Sequence, residues 1–159
     1  MTDYADIDAT EIAQKAITAT NEILGLMGLQ AEASLQEING EGIFINIEGT
    51  DSHHIIGHHG ATLNSLQLVV AIIANHGLGE GLRIFLDAEG YRDRRRQLLE
   101  QMAIMHANKA KESGKEIVVT DLKPHERRIV HMILADDPEV ETYSEGAGDD
   151  RHLVISPKV

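Results

Sequence analysis

The apolar repeat in this chain changes period several times along its length, and the order of those changes restricts the folds open to it. Over residues 9–27, Ile12, Ala16, Ala19, Ile23 and Met27 recur at steps of three and four, the period of an amphipathic helix, and Gly28 follows as a stop. The period then becomes two. Residues 31–38 and 43–48 read as strands, the second setting Ile43, Ile45 and Ile47 against Phe44, Asn46 and Glu48. Asn39-Gly40-Glu41-Gly42 between them is hairpin chemistry, because Asn and Gly accept positive φ. After Gly60 the helical period returns up to about residue 75, with Leu63, Leu66, Val70 and Ile73 on one face, and a loop is expected over residues 76–81. Residues 82–87 alternate as a third strand. A long helix is expected over residues 91–112, apolar at Leu98, Met102 and Met105, and Gly114 ends it. A short strand at 117–119, a helix at 124–134 opened by Pro124 and strands near 140–144 and 153–155 complete the pattern. The expected class is α+β, with a boundary near Gly90.

Composition narrows the function. An apolar fraction of 42% suits a packed interior. The chain has no cysteine, which removes disulfides, thiol nucleophiles and thiolate zinc sites and fits a reducing compartment. The acidic start at residues 1–6 lacks the basic and apolar regions of a secretory signal, and the longest apolar stretch, 66–74, is too short to span a bilayer. A soluble, cytoplasmic protein without a membrane partner is expected. The net charge of −12 argues against a partner made of phosphates, yet residues 91–135 hold ten bases against six acids. One basic zone in an acidic chain permits a modest, salt-sensitive affinity for nucleic acid.

Ile55-Ile56-Gly57-His58-His59-Gly60 places two glycines three apart immediately before an apolar helix. Glycines let a ligand approach the backbone closely, and the following helix offers unpaired N–H groups and the positive end of its dipole. With two strands upstream and one downstream, the order resembles a type II KH domain, whose Gly-x-x-Gly loop clamps the backbone of single-stranded RNA. The low aromatic content, 3%, suits the aliphatic grooves of such domains better than aromatic stacking platforms.

Further motifs make the resemblance specific: 57–66, Leu86-Asp87-Ala88-Glu89-Gly90-Tyr91-Arg92-Asp93-Arg94-Arg95, Pro124-His125-Glu126-Arg127-Arg128-Ile129-Val130-His131, Asp136-Asp137-Pro138 and Thr142-Tyr143-Ser144-Glu145-Gly146. In this order they resemble the Jag family, the SpoIIIJ-associated proteins of bacteria, from about residue 9 to the end. The resemblance implies a KH-type domain at 1–88, a three-stranded sheet with helices on one face. It also implies a bridging helix and a small Arg-x-x-x-His-type α/β domain at 89–159. It further implies a non-enzymatic single-stranded RNA-binding protein, an RNA chaperone or post-transcriptional regulator, linked to cell-envelope and cell-shape control. Single-stranded DNA is a second candidate ligand, and the partners implied are a small stand-alone KH protein or a second copy. Members commonly carry basic residues in the loop where His58 and His59 stand here, and many have an additional N-terminal domain without counterpart in these residues.

The expected RNA-binding residues are Ile55, Ile56, Gly57, His58, His59 and Gly60 in the loop, with Arg127 and His131. These last two lie four apart and so share a helix face, from which a guanidinium fork and an imidazole can address phosphate and base. Arg92, Arg95 and Arg128 are secondary candidates. Arg92, Arg94, Arg95 and Arg96 open a helix, where the dipole disfavours cations, so pairing with Asp87, Glu89 and Asp93 is as good a reading as contact with RNA.

His53, His54, His58 and His59 cluster near Asp51, and imidazoles do bind zinc and nickel. Catalytic zinc needs three fixed ligands with oriented partners behind them, which this spacing does not promise, so no metal or cofactor is expected. There is no Gly-x-Ser-x-Gly elbow, no lysine after the loop glycines and no placeable carboxylate pair, which excludes the familiar hydrolase and phosphotransferase designs. The alternative is an adaptor, a KH fold with little RNA affinity. The basic zone decides between them, according to whether its charges face a ligand or pair off internally.

The loop histidines generate a prediction. An imidazole ordinarily titrates near ~6.5, so these residues bring charge to a phosphate only when protonated. Each ring that takes up a proton on binding adds a charge-assisted contact of about 1.5–3 kcal/mol. Affinity for a short single-stranded RNA should rise between about pH 8 and about pH 6, with proton uptake seen by isothermal titration in buffers of differing ionisation heat. An affinity flat over that range would separate the histidines from phosphate.

Overall fold

The computed structural model describes residues 8–78 and 81–158, so the acidic start and Gly79 and Glu80 of the expected 76–81 loop lie outside the described residues. The chain divides into two compact units, Met1–Arg92 and Asp93–Val159.

In the first unit, α1 (Ala9–Leu26) precedes a hairpin of β1 (Ala31–Asn39) and β2 (Gly42–Gly49). The short helix α2 (Ser52–Ile56), a 3-10 turn (His58–Gly60) and α3 (Ala61–Ala74) lead to β3 (Ile84–Ala88). The sheet order is β1-β2-β3, with β1 antiparallel and β3 parallel to β2. Alternation along the strands sorts the two faces. Ile43, Ile45 and Ile47 with Ile84, Leu86 and Ala88 join Ile12, Ala16 and Leu24 of α1 and Leu63, Leu66 and Val70 of α3 in one core. Phe44 and Phe85 stack on the opposite face with ring centroids 4.7 Å apart.

Both edges of this sheet are closed by side chains. The Asn21 carboxamide accepts from the N–H of Ala33 (2.8 Å) and donates to its carbonyl (3.4 Å), completing β1. Gln67 accepts from the N–H of Leu86 (2.9 Å) and Arg92 donates to the carbonyl of Leu86 (2.8 Å), which does the same for β3.

The second unit contains nearly all of α4 (Tyr91–Ser113), then β4 (Ile117–Val119), α5 (Pro124–Leu134), β5 (Val140–Glu145) and β6 (His152–Pro157). Its sheet is antiparallel in the order β4-β6-β5. On the outer face the rung Val118–Val154–Tyr143 crosses all three strands. The Tyr143 hydroxyl reaches Glu116 at 2.8 Å, and that bond, with the nearby glutamates, pushes its pKa up to about 12.

Four local expectations need correction. Residues 52–56 form a helix that the sequence reading left out, because five residues are too few to show a period and two of them are β-branched. At the end of α1 the buried positions are Thr20 and Leu24, and Met27 is exposed. On α3 Ala74 is buried in place of Ile73. The largest difference is in α4, whose buried stripe is Leu99, Ala103, Ala107 and Ala110, whereas Leu98 and Met105 are each 57% exposed. Alanines carry little apolar weight in a pattern, but their small side chains let the helix lie close to its neighbours.

That stripe sets opposite expectations for neighbouring residues. Ala107→Leu should overpack the second core and cost about 1–3 kcal/mol, whereas Met105→Ala should stay within about 0.5 kcal/mol. Denaturant unfolding followed through the amides of β4 to β6 makes the comparison.

Candidate nucleic-acid interface

Two places gather the residues singled out by the sequence, one in each unit. In the first, α2 ends where Gly57 turns to φ 68° and ψ −170°, a conformation open essentially to glycine alone. His59 (φ 49°) and Gly60 (φ 76°) then occupy the left-handed region before α3 begins. Space forbids side chains at both glycines as firmly as the backbone does. A Cβ on Gly57 would lie 2.1 Å from Oγ1 of Thr62, and one on Gly60 would lie 2.8 Å from Cε1 of Tyr91.

Ile55 is buried in the core, Ile56 and His59 are half-buried, and His58 is exposed. The two rings stack with centroids 4.0 Å apart. Gly60 is buried, so it shapes the loop rather than offering surface. No side chain caps the first turn of α3 and that turn holds no acid, which suits an anion. Asp51, the carboxylate near the histidines, accepts from the N–H of Gln30 at 2.7 Å and stands 3.8 Å from Nδ1 of His54.

The arginines opening α4 are structural where their contacts are resolved, which corrects the expectation of RNA contact for two of them. Arg92 donates to Leu86 O (2.8 Å), Asn64 Oδ1 (3.0 Å) and Gln67 Oε1 (3.0 Å). Burial works against its charge and Asp87 works for it. Arg95 forms an ion pair with Glu126 at 2.7 Å, and the Glu126 side chain is only 1% exposed. Burial alone would raise the pKa of Glu126, but hydrogen bonds from Arg95 and from the N–H of Lys123 (3.0 Å) hold it below its ordinary value. The Lys123 bond also closes the start of α5. Lys111 in turn pairs with Asp137 (2.7 Å) and Glu139 (3.2 Å). Much of the basic zone therefore pairs off internally.

What remains is gathered beside α5. A groove of about 420 Å³ is lined by Pro124, Arg127, Arg128 and His131 from that helix, by Thr142, Tyr143 and Ser144 of β5, and by Arg151 and Leu153 at β6. Its lining contains three arginines and no acid. Val130 and Leu134 on the opposite side of α5 are buried, which turns Arg128 and His131 outward. Nδ1 of His131 is hydrogen-bonded to Oγ1 of Thr142 (2.5 Å), so the ring is oriented from β5. Arg127 is half-buried, and its Nη1 donates to Leu122 O (2.8 Å) and Arg151 O (3.4 Å). It thus ties the turn before α5 to the turn before β6 while still lining the groove.

Thr142 and Arg151 were not selected from the sequence as site residues. A lone arginine after two aspartates carries no signal, and only the β5–β6 pairing brings it back to α5.

Residues 97–157, a stretch containing Arg127 and His131, match the family of the R-x-x-x-H domain (Arg-x-x-x-His), which gives the second unit its class. Over 148 residues the chain is 34% identical to RNA-binding protein KhpB of Clostridium symbiosum, an alignment covering 92% of this chain and 67% of that protein. It is 36% identical over 115 residues to RNA-binding protein KhpB of Bacillus subtilis, covering 71% of this chain and 55% of that one. With RNA-binding protein KhpB of Lactiplantibacillus plantarum it shares 31% over 112 residues, covering 70% of this chain and 35% of that one. The chain belongs to the KhpB family, the Jag family whose motifs it carries.

The buried ion pair generates the test of the second unit. Arg95→Ala leaves Glu126 buried without a countercharge and should cost about 3–5 kcal/mol in urea unfolding. Because the folded-state pKa of Glu126 lies below its unfolded value, the pair stabilises above the ordinary carboxylate range and the contribution is lost as pH falls through it. Arg95→Ala should weaken that acid dependence as well as lower stability.

Proposed function

We propose that this protein is a non-enzymatic, cytoplasmic single-stranded RNA-binding protein. In this reading residues 1–88 form a type II KH domain and residues 89–159 carry the Arg-x-x-x-His domain. The observation that carries the reading is the acid-free groove with Arg127, Arg128, Arg151 and His131 in a chain of net charge −12. An acidic protein that clears one groove of every carboxylate has the electrostatics of a phosphate site. The relatives' names, which describe RNA-binding proteins, support the same reading.

The roles divide by chemistry. Arg128 and Arg151 are the ligand-facing cations, each able to make bidentate contact with a phosphate. His131, oriented by Thr142, presents its outer nitrogen to a base or a phosphate oxygen. Arg127 organises the groove and contributes its remaining donors. In the first unit, Gly57, His58 and the opening turn of α3 receive the sugar-phosphate backbone, with Ile55 and Ile56 behind them. Binding through backbone and phosphate with little base reading suits an RNA chaperone or post-transcriptional regulator. The link to cell shape, a stand-alone KH partner and a second copy as partner belong to the same proposal.

The adaptor reading gains from the internal pairing of Arg92, Arg95 and Lys111. The groove argues against it, because an adaptor has no use for three converging arginines.

Salt titration of binding to a short single-stranded RNA tests the proposal. Contact with about three phosphates predicts a slope near −2 in log K against log salt, from about −0.7 per phosphate. Arg128→Ala and Arg151→Ala should each lower affinity about tenfold and flatten the slope by about 0.7. Arg127→Ala should also destabilise the second unit by about 1–3 kcal/mol, since it removes bonds to two turns. His58→Asp should weaken binding without unfolding the chain. Wild-type affinity in both the groove and the loop variants at low salt would favour the adaptor.

A further inference from the structure

We propose that Tyr91 is a positioning residue for the 57–60 loop, clamping Gly60 from beneath and held in place by Arg92. The inference rests on the reading of that loop as an RNA contact. Its basis is the packing at the start of α4. Gly60 is buried at φ 76°, and a methyl added there would stand 2.8 Å from Cε1 and 3.3 Å from Oη of Tyr91. The ring edge therefore lies flush against the glycine and fills the space a side chain would take. Tyr91 itself packs against the core of the first unit. Thr62 does the corresponding work at the other end, where its Oγ1 would stand 2.1 Å from a Cβ on Gly57.

The ring has a fixed base. The N–H of Arg92 donates to Asp87 Oδ1 (3.2 Å) and its guanidinium joins Leu86 of β3 to Asn64 and Gln67 in the first two turns of α3. Gln67 closes the circle by accepting from the N–H of Leu86. The start of α3, the end of β3 and the start of α4 are thus tied at one point, and Tyr91 projects from that point onto the loop.

The loop needs such support. His59 and Gly60 both sit in the left-handed region, and Gly57 adopts a glycine-only conformation. Conformations of this kind persist only where their surroundings over-determine them. A loop released from Tyr91 would have to be ordered by its ligand, and the lost preorganisation appears as lost affinity.

The test uses the full chain, a short single-stranded RNA and amide hydrogen exchange. Tyr91→Leu keeps apolar bulk but removes the flat edge. Exchange at His58 to Ala61 should quicken about tenfold while the amides of β1 to β3 hold their rates, and RNA affinity should fall about tenfold. Tyr91→Phe, which restores the ring, should return both readings to within about twofold of wild type. Gly60→Ala approaches the same contact from the loop side, and its effect on exchange should shrink in the Tyr91→Leu background. Unchanged loop exchange, equal loosening of loop and sheet, or additive effects of the two substitutions would each overturn the clamp. If the loop loosens as expected but neither Tyr91→Leu nor His58→Asp alters RNA affinity, the RNA reading of the loop falls while the packing of Tyr91 on Gly60 stands.

Discussion

A guanidinium in the first turn of a helix opposes the helix dipole, so Arg92 can sit there only because its surroundings need its donors. The free carbonyl of Leu86 on the edge of β3 takes one, and the side chains of Asn64 and Gln67 take two more. One side chain therefore completes a sheet edge, fixes the register of α3 against it and sets where α4 begins. The loop before α3 depends on the result, since its two glycines are shaped by Thr62 on one side and Tyr91 on the other. Arg95 follows the same logic in the second unit, where Glu126 is buried, paired with that arginine and bonded to the backbone that opens α5.

This use of arginine inside the fold changes the meaning of the charge pattern. Ten bases in residues 91–135 suggest a broad cationic surface, but Arg92, Arg95 and Lys111 are engaged with neighbours. The charge left over is concentrated where α5 faces β5, and Arg151 joins it from outside the basic stretch. A small number of well-placed cations in an acidic protein favours recognition that is weak, local and sensitive to salt.

Much of the architecture was legible in the sequence because apolar period and turn chemistry agree. The hairpin at 39–42, the strand at Ile117–Val119 and the helix at Pro124–Leu134 lie where alternation, Asn-Gly and proline put them. The spacing of Arg127 and His131 places them on the face of α5 opposite Val130 and Leu134, though Arg127 is partly engaged in bonds to the backbone. The misses share a cause. Helix α2 is too short to declare a period, and the buried face of α4 is made of alanines that a search for large apolar side chains passes over.

By itself the sequence determined which segments are helices and strands, that the chain is α+β, and that two glycines precede an uncharged helix. These are local properties, set by side-chain period, backbone freedom and turn residues within a few positions. Only the tertiary structure decided what each charge does. Whether an arginine meets a carbonyl, a buried glutamate or open water depends on residues about thirty or more positions away, as between Arg95 and Glu126. No local pattern encodes such a meeting. The same holds for the groove, whose Arg151 reaches α5 only because β6 pairs with β5, and for Gly60, whose geometry is held by a tyrosine on another helix.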